Sequence, residues 1–261
     1  MTEAFYQRLD ATRVRSTPHT NGPWQEGLQH AGPPAALLLR AVRELPGLPA
    51  RLSYDIFAPV PVADLLVTSE ILRPGRKVAL VQASLAAADA PERPLMRLTA
   101  WLLRQAKDVV AATPVAQAPA ATGSPMARAA GWHAGYLDAI AWSWVDGAFE
   151  QPGPATVWTQ LLVDLVEGEP TDPLDHLAIV ADSASGISAV ASPRDLLFVN
   201  TDLTLHLTRM PTGEAIWLRA QSALDPAGVG RANGELGDGD GLVATSAQCL
   251  FVDKRVDAGQ M

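Results

Sequence analysis

Cysteine is almost missing from this chain. Cys249 is the only one in 261 residues, which excludes an intrachain disulfide and suits a reducing compartment. Positive charge is short as well: 20 Lys and Arg stand against 28 Asp and Glu, a net charge of −8 with a pI near 5.1. Binding driven by neutralising nucleic-acid phosphates is therefore not expected. No apolar run approaches the ~20 residues of a membrane span. The stretch Ala35–Leu39, for example, ends at Arg40. The opening Met1-Thr-Glu-Ala-Phe-Tyr-Gln-Arg8 has no basic cluster followed by an apolar core, so no signal peptide is expected. Histidines and the lone cysteine show no metal-ligand spacing, and neither a metal nor a cofactor is expected. Gly-x-Ser-x-Gly is missing, which argues against an α/β-hydrolase, and no Ser-His-Asp or Cys-His constellation stands out. These absences leave a soluble, cytoplasmic globular protein as the expectation, with homo-oligomer formation left open.

What is present is apolar: 48% of residues, enough for one large core or two small ones. Proline concentrates with small residues in Ala111–Pro125, AATPVAQAPAATGSP, which has almost no charge and little periodicity. This segment predicts a linker between an N-terminal domain, 1–115, and a C-terminal domain, 126–261. The two halves look alike. In the first, a helical pattern at Pro34–Leu45 follows Gly32-Pro33, and strand-like segments follow at Arg51–Phe57, Leu65–Leu72, Val78–Leu85 and Leu95–Arg104. In the second, strands at Ala141–Val145 and Val157–Val166 precede a helical pattern at Pro173–Val190. Four more follow at Leu196–Thr208, Ala215–Ala223, Gly228–Leu236 and Leu242–Asp253. A single shift of 147 aligns Leu95–Leu103 with Leu242–Leu250, Ser53–Ile56 with Asn200–Leu203, and Ala35 with Asp182. We read this as a duplication.

A helix followed by an antiparallel meander has one way to cover its apolar sheet face, which is to wrap the sheet around the helix. The expected fold is α+β, a double hotdog: two antiparallel sheets, each wrapped around a central helix, joined in one chain and paired edge to edge into one continuous sheet. The segments Gly27-Leu-Gln-His30-Ala-Gly32, Phe57-Ala-Pro59-Val-Pro61, Ile71-Leu-Arg73-Pro-Gly75-Arg76, Val180-Ala-Asp182-Ser183, Asn200-Thr-Asp202-Leu-Thr204, Arg209-Met-Pro211-Thr-Gly213-Glu214 and Ala244-Thr-Ser-Ala-Gln248 fall in an order and spacing that resembles the double-hotdog acyl-CoA thioesterases of the thioesterase II kind. That resemblance runs from about Gly22 to Arg255. It implies hydrolysis of an acyl-CoA thioester by a water held in the second hotdog. The water's partners would be an Asp on the helix, here Asp182, a Thr early in the next strand, here replaced by Asn200 with Thr201 beside it, and a Gln in the last strand, here Gln248.

The residues support this on their own terms. Thioester hydrolysis needs an oriented water and a polarised carbonyl. Asp182 sits among Ile179, Val180, Ala181, Ala184 and Ile187, where a carboxylate is costly unless satisfied. At the shared shift Asp182, Asn200 and Gln248 stand opposite Ala35, Ser53 and Trp101, so the polar trio belongs to the second half alone. His30 and Gly32, before the first helix, are the candidate substrate-binding residues. Gly32 is read as an oxyanion donor through its backbone amide, and His30 as a capping or loop residue rather than a base. The pair Asp202 and His206 tempts a hydratase reading, but two residues four apart on a strand form an ordinary polar face. The dense glycines from Gly228 to Gly241 read as Asp-Gly turns rather than a nucleotide fingerprint. The competing function is non-catalytic binding of acyl-CoA or another hydrophobic ligand on the same fold, which the replacement at Asn200 would permit.

Overall fold

The computed structural model describes residues 3–43, 45–121, 123–125, 132–149, 151–192 and 195–255. Strands β1 (Ala4–Arg8) and β2 (Arg13–Ser16) come first, then helix α1 (Gly32–Val42), then β3 (Leu48–Ile56), β4 (Asp64–Arg73), β5 (Val78–Ala87) and β6 (Pro94–Leu103). The short β7 (Ser124–Pro125) is followed by β8 (Ile140–Ala148), β9 (Gln151–Leu161) and β10 (Asp164–Val166). Helix α2 (Pro173–Ala181) and the single turn α3 (Ala184–Ile187) follow. The chain then runs through β11 (Leu196–Asn200), β12 (Asp202–Leu207), β13 (Ala215–Asp225), β14 (Val229–Asp238) and β15 (Gly241–Lys254). Helix then meander is the order expected in each half; β1, β2 and β7 carry no clear pattern in the sequence. The helical pattern at Pro173–Val190 is interrupted after Ala181. Ser183, Ser185, Gly186 and Ser188 are weak helix formers and give that stretch little reason to continue as one helix.

The sheets of the two halves join edge to edge into one continuous sheet, as expected. Its order is β10-β1-β2-β4-β5-β6-β3-β12-β15-β14-β13-β9-β8-β7, with β11 also on β15. The halves fuse where β3 and β12 pair antiparallel, Ser53 opposite Thr204 and Asp55 opposite Asp202. Joining these strands satisfies backbone groups that two separate sheets would leave open at their edges. A parallel pairing of β1 with β10 ties the N-terminus to the second half. Residues 104–121 form no strand or helix, and the backbone is anchored where Leu242 N–H donates to Ala116 O (2.9 Å) and the Trp158 indole donates to Ala120 O (3.0 Å).

One face of the sheet is buried. In β15, Ser246, Gln248, Leu250 and Val252 point inward while Thr245, Ala247, Cys249 and Phe251 are exposed. This alternation corrects the uniform shift of 147. The inward residues of β6 are Met96, Leu98, Ala100 and Leu102, so an odd shift sets the outward-facing Trp101 against the inward Gln248. The helices also start 141 apart (173 − 32), which leaves Ala35 and Asp182 at different positions along their helices.

Helix α1 is apolar all round and buried from Gly32 through Leu39 and at Val42, as a helix enclosed by sheet must be. It packs on β4, β5 and β6; α2 and α3 pack on β9, β13 and β14; and α1 and α2 pack on each other. At one end, Gly32 lies so close to α2 that a Cβ there would sit 2.0 Å from the Ile179 carbonyl oxygen. At the other, the Arg40 guanidinium bonds Asp175 (2.7 Å), Glu169 (2.9 Å) and the Pro170 carbonyl (2.8 Å). Asp175 is 1% exposed and also closes a capping box with Asp172 at the start of α2.

Two substitutions test this packing. Arg40→Met removes the nearer of two guanidiniums from a buried carboxylate, leaving Arg43 at 3.3 Å, and is expected to cost about 1.5–3 kcal/mol. Gly32→Ala forces the helices apart and is expected to cost about 1–3 kcal/mol. Urea unfolding measures both, and a wild-type midpoint for Gly32→Ala would show that the helices do not approach this closely.

Candidate active site

Asp182 follows α2 directly and is 4% exposed. Its Oδ1 accepts one amide N–H from Asn200 and one from Gln248, each at 2.9 Å. Gln248 donates again to the Asp182 carbonyl (3.2 Å) and accepts the Ser185 N–H at its own Oε1 (3.2 Å). Ser185 Oγ donates to Asn200 Oδ1 (3.2 Å), closing a ring of hydrogen bonds. The helix break supplies Asp182 and Ser185, the end of β11 supplies Asn200, and the inward face of β15 supplies Gln248. On its other side, Asp182 Oδ2 lies 3.3 Å from His30 Nδ1, and the Ala31 backbone N–H donates to the carboxylate.

These groups stand at one end of a cavity of about 290 Å³. His30, Asp182, Ser185 and Asn200 give it a polar wall, while Trp24, Trp132, Phe149, Phe198 and Ile56 supply apolar ones. Gln248 lies behind Asp182, 2% exposed.

A family model for the C-terminal domain of acyl-CoA thioesterases matches residues 110–252, and one for their N-terminal domain matches residues 20–103. The chain belongs to the acyl-CoA thioesterase family. It is thereby a thioester hydrolase by family. Solved structures share the fold over nearly the whole length. A protein assigned as a thioesterase II from Thermobifida fusca YX is 21% identical with a TM-score of 0.75, over 97% of this chain and 98% of that one. A hotdog-fold protein of unknown function from Alicyclobacillus acidocaldarius is 15% identical with a TM-score of 0.73, over 97% and 98%. The acyl-CoA thioesterase II TesB2 of Mycobacterium marinum is 14% identical with a TM-score of 0.64, over 98% and 96%. No curated protein matches significantly. The single large sheet with few helices fits a double hotdog.

For this thioesterase, the structure brings Asp182, Asn200 and Gln248 together and leaves Thr201 out. Thr201 falls between β11 and β12, exposed, with its hydroxyl on the Cys249 carbonyl (3.2 Å). One extra residue there, as β11 and β12 both pair with β15, turns Thr201 away from Asn200. Gly32 is corrected too. Its N–H donates to His30 Nδ1 (3.2 Å) and the residue is buried against α2, so its amide is engaged with a side chain rather than free for a thioester oxygen. Through that bond His30 caps the first amide of α1, but it is not an exposed loop residue. Its ring is stacked on Tyr136 at 3.7 Å and 2°, and the Tyr136 hydroxyl is held by Ile179 O (2.9 Å) and Ser183 Oγ (2.7 Å). Asp202 and His206 lie outside the cavity: Asp202 accepts the Cys249 N–H, and His206 is exposed opposite Arg51. Ser185, Tyr136 and the Ala31 amide were not foreseen. Ser185 is one helical turn from Asp182 and could have been read from that spacing; nothing local marks Tyr136.

Burial pushes the Asp182 carboxyl up to about 7, against the opposing pull of the Asn200, Ala31 and Gln248 amides. Burial pushes the His30 imidazole down to about 3. At neutral pH the imidazole is therefore uncharged and Asp182 is midway through its titration. Among the described residues no group of three or more His, Cys, Asp or Glu is arranged to hold a metal, and no helix is long and apolar enough to cross a membrane.

The raised Asp182 value has a thermodynamic consequence. The native state holds this proton more tightly than the unfolded chain, so its contribution to stability is complete below the ordinary carboxyl range of about 4 and is lost as pH rises through about 7. Asp182→Asn offers an oxygen to the two amides and carries no charge. It is expected to gain on the wild type in unfolding free energy between those pH values and to gain no further above them, as paired denaturation curves would show. A constant difference across that range would mean that Asp182 is not buried in this way.

Proposed function

We propose that this chain hydrolyses acyl-CoA thioesters through general-base attack of water, with Asp182 as the base. The observation that carries this reading is the paired donation of Asn200 and Gln248 to Asp182 Oδ1. It fixes the carboxylate while leaving Oδ2 as the oxygen able to take a proton. A base with a pKa near neutrality is matched to proton abstraction at neutral pH. In the reaction, Asp182 takes a proton from water, the water oxygen bonds to the acyl carbon, the C–S bond breaks and the thiol leaves with a proton returned. Both Gln248 amide hydrogens are on Asp182, so Gln248 orients the base. Asn200 faces the cavity with a second amide hydrogen for the water or the thioester oxygen, so an amide here stands where the family's hydroxyl would be. The apolar walls suit the acyl group. Within this reading, residues 1–115 and 126–261 are the two hotdog units, and the lone cysteine is consistent with work in the cytoplasm.

The test is thiol release from short, medium and aryl acyl-CoAs. Asp182→Asn is expected to lower turnover about 10²–10⁴-fold with the fold intact by circular dichroism. Gln248→Ala is expected to cost less, because it carries no proton. An unchanged rate in the Asp182→Asn variant would overturn the mechanism. Acyl-CoA binding with no turnover by the wild type would establish the binding-protein reading instead.

A further inference from the structure

The general-base reading assigns nothing to His30, yet its ring is the group nearest the free oxygen of Asp182. The contact joins the two halves of the chain, since His30 precedes α1 and Asp182 follows α2. Both side chains are enclosed: 10% of the His30 side chain and 5% of that of Asp182 are exposed. The ring has little freedom to turn. Tyr136 covers one face in a near-parallel stack, and the Tyr136 hydroxyl is itself fixed to Ile179 O and Ser183 Oγ, on the segment that carries Asp182. The Gly32 N–H donates to Nδ1, which identifies that nitrogen as the unprotonated one and leaves the ring hydrogen on Nε2. That single lone pair is shared between the Gly32 N–H (3.2 Å) and Asp182 Oδ2 (3.3 Å), so the ring turns no proton toward the carboxylate.

We propose that His30 is a positioning residue for the base: its Nδ1 lone pair accepts a hydrogen bond from the protonated Asp182 carboxyl and so holds that oxygen and its proton in place. The inference rests on the general-base reading above. When Asp182 is ionised, the Nδ1 lone pair faces a carboxylate oxygen with no hydrogen between them, which makes that oxygen more eager for a proton. When the attacking water gives up its proton to Oδ2, the new O–H finds Nδ1 as acceptor. Collapse of the tetrahedral intermediate then breaks the C–S bond, and the same proton leaves Asp182 for the departing sulfur. One proton enters and one leaves, and His30 stays neutral throughout. A hydrogen bond to the protonated carboxyl favours that form, and burial favours the neutral form of each partner, raising Asp182 and lowering His30. The side chains facing Asp182 are His30 from the loop before α1, Asn200 from β11, Gln248 from β15 and Tyr136 from the loop before β8; of these only His30 and Tyr136 titrate, and burial raises the Tyr136 hydroxyl out of the working range.

The experiment follows the His30 ring nitrogens by ¹⁵N NMR against pH in the full-length wild type and in Asp182→Asn, with no substrate present. The expected result is a neutral Nε2–H tautomer from pH 5 to 9, roughly, with the Nδ1 resonance moving at a midpoint near 7 in the wild type and not moving in Asp182→Asn. A ring that titrates as an ordinary imidazole, or whose Nδ1 resonance ignores the Asp182 substitution, would overturn the proposal. Because this readout needs no turnover, it fails or succeeds independently of the thioesterase mechanism. Kinetics supply the second arm. His30→Leu removes the acceptor and is expected to lower kcat about tenfold, the worth of one hydrogen bond, with little change in KM. His30→Asn can restore an acceptor at the same place and is expected to recover most of that loss. A change in KM alone, or no recovery in His30→Asn when both variants give wild-type circular dichroism, would return His30 to a substrate-contact or packing role.

Discussion

The close antiparallel approach of α1 and α2 is the constraint on which the site depends. Two apolar helices inside one sheet would pack at many registers, because dispersion contacts are not directional. Here two features select one. At one end Gly32 admits the Ile179 carbonyl, and at the other Arg40 reaches the buried Asp175. The ion pair is no great source of stability, since both partners lose hydration on burial. Its effect is on register: sliding α1 by one turn would draw Arg40 away from Asp175 and drive a side chain into Ile179. With the register fixed, the segment before α1 falls beside the residue that ends α2, and His30 meets Asp182.

The same burial that makes Asp182 an unstable ion would suit it to the proposed role of base. A carboxylate in water has a pKa near 4 and little appetite for a proton at neutrality. Removal from water raises that appetite, while two amides on Oδ1 keep the charged form accessible. Neither influence alone would serve. Desolvation without the amides would leave the group permanently protonated, and the amides without desolvation would leave a weak base. The surrounding polar ring is closed by Ser185, which gives the Gln248 and Asn200 amide oxygens their partners.

Much of this was legible in the sequence, and the failures have local causes. The strands of the meanders show themselves through two-residue alternation, and the apolar run after Gly32 marks a helix enclosed on every side. Asp182 and Gln248 are visible as polar residues in apolar settings, which is where a functional requirement overrides the pattern. The errors came from periodicities used beyond their range. A shift of 147 is wrong by parity at Trp101 and Gln248, because different insertions separate the strands of the two halves. Thr201 looked equivalent to Asn200 because an irregularity between two short strands leaves no mark in a linear sequence. Gly32 was read for its amide when its missing side chain is what the structure uses. The stacking of Tyr136 on His30 spans more than a hundred residues, and no local rule predicts it.

The polar cluster is confined to the second half, yet the site is not. Met96, Leu98, Ala100 and Leu102 on the inward face of β6 are all apolar, where β15 carries Ser246 and Gln248. The first half therefore has no counterpart of the Gln that grips the base. What it contributes is the chain just before α1: the His30 ring and the Ala31 amide, both on the Asp182 carboxylate. Joining two copies in one polypeptide makes such a division of labour stable to sequence change. In a dimer of identical hotdogs each substitution appears twice, so a residue placed to serve one site is also imposed on the other. Within a single chain, one copy can keep the base and its amides while the other keeps the loop that packs on them. The Asp182 cluster then exists only when both halves are folded against each other, and the helix contact between them is part of its geometry.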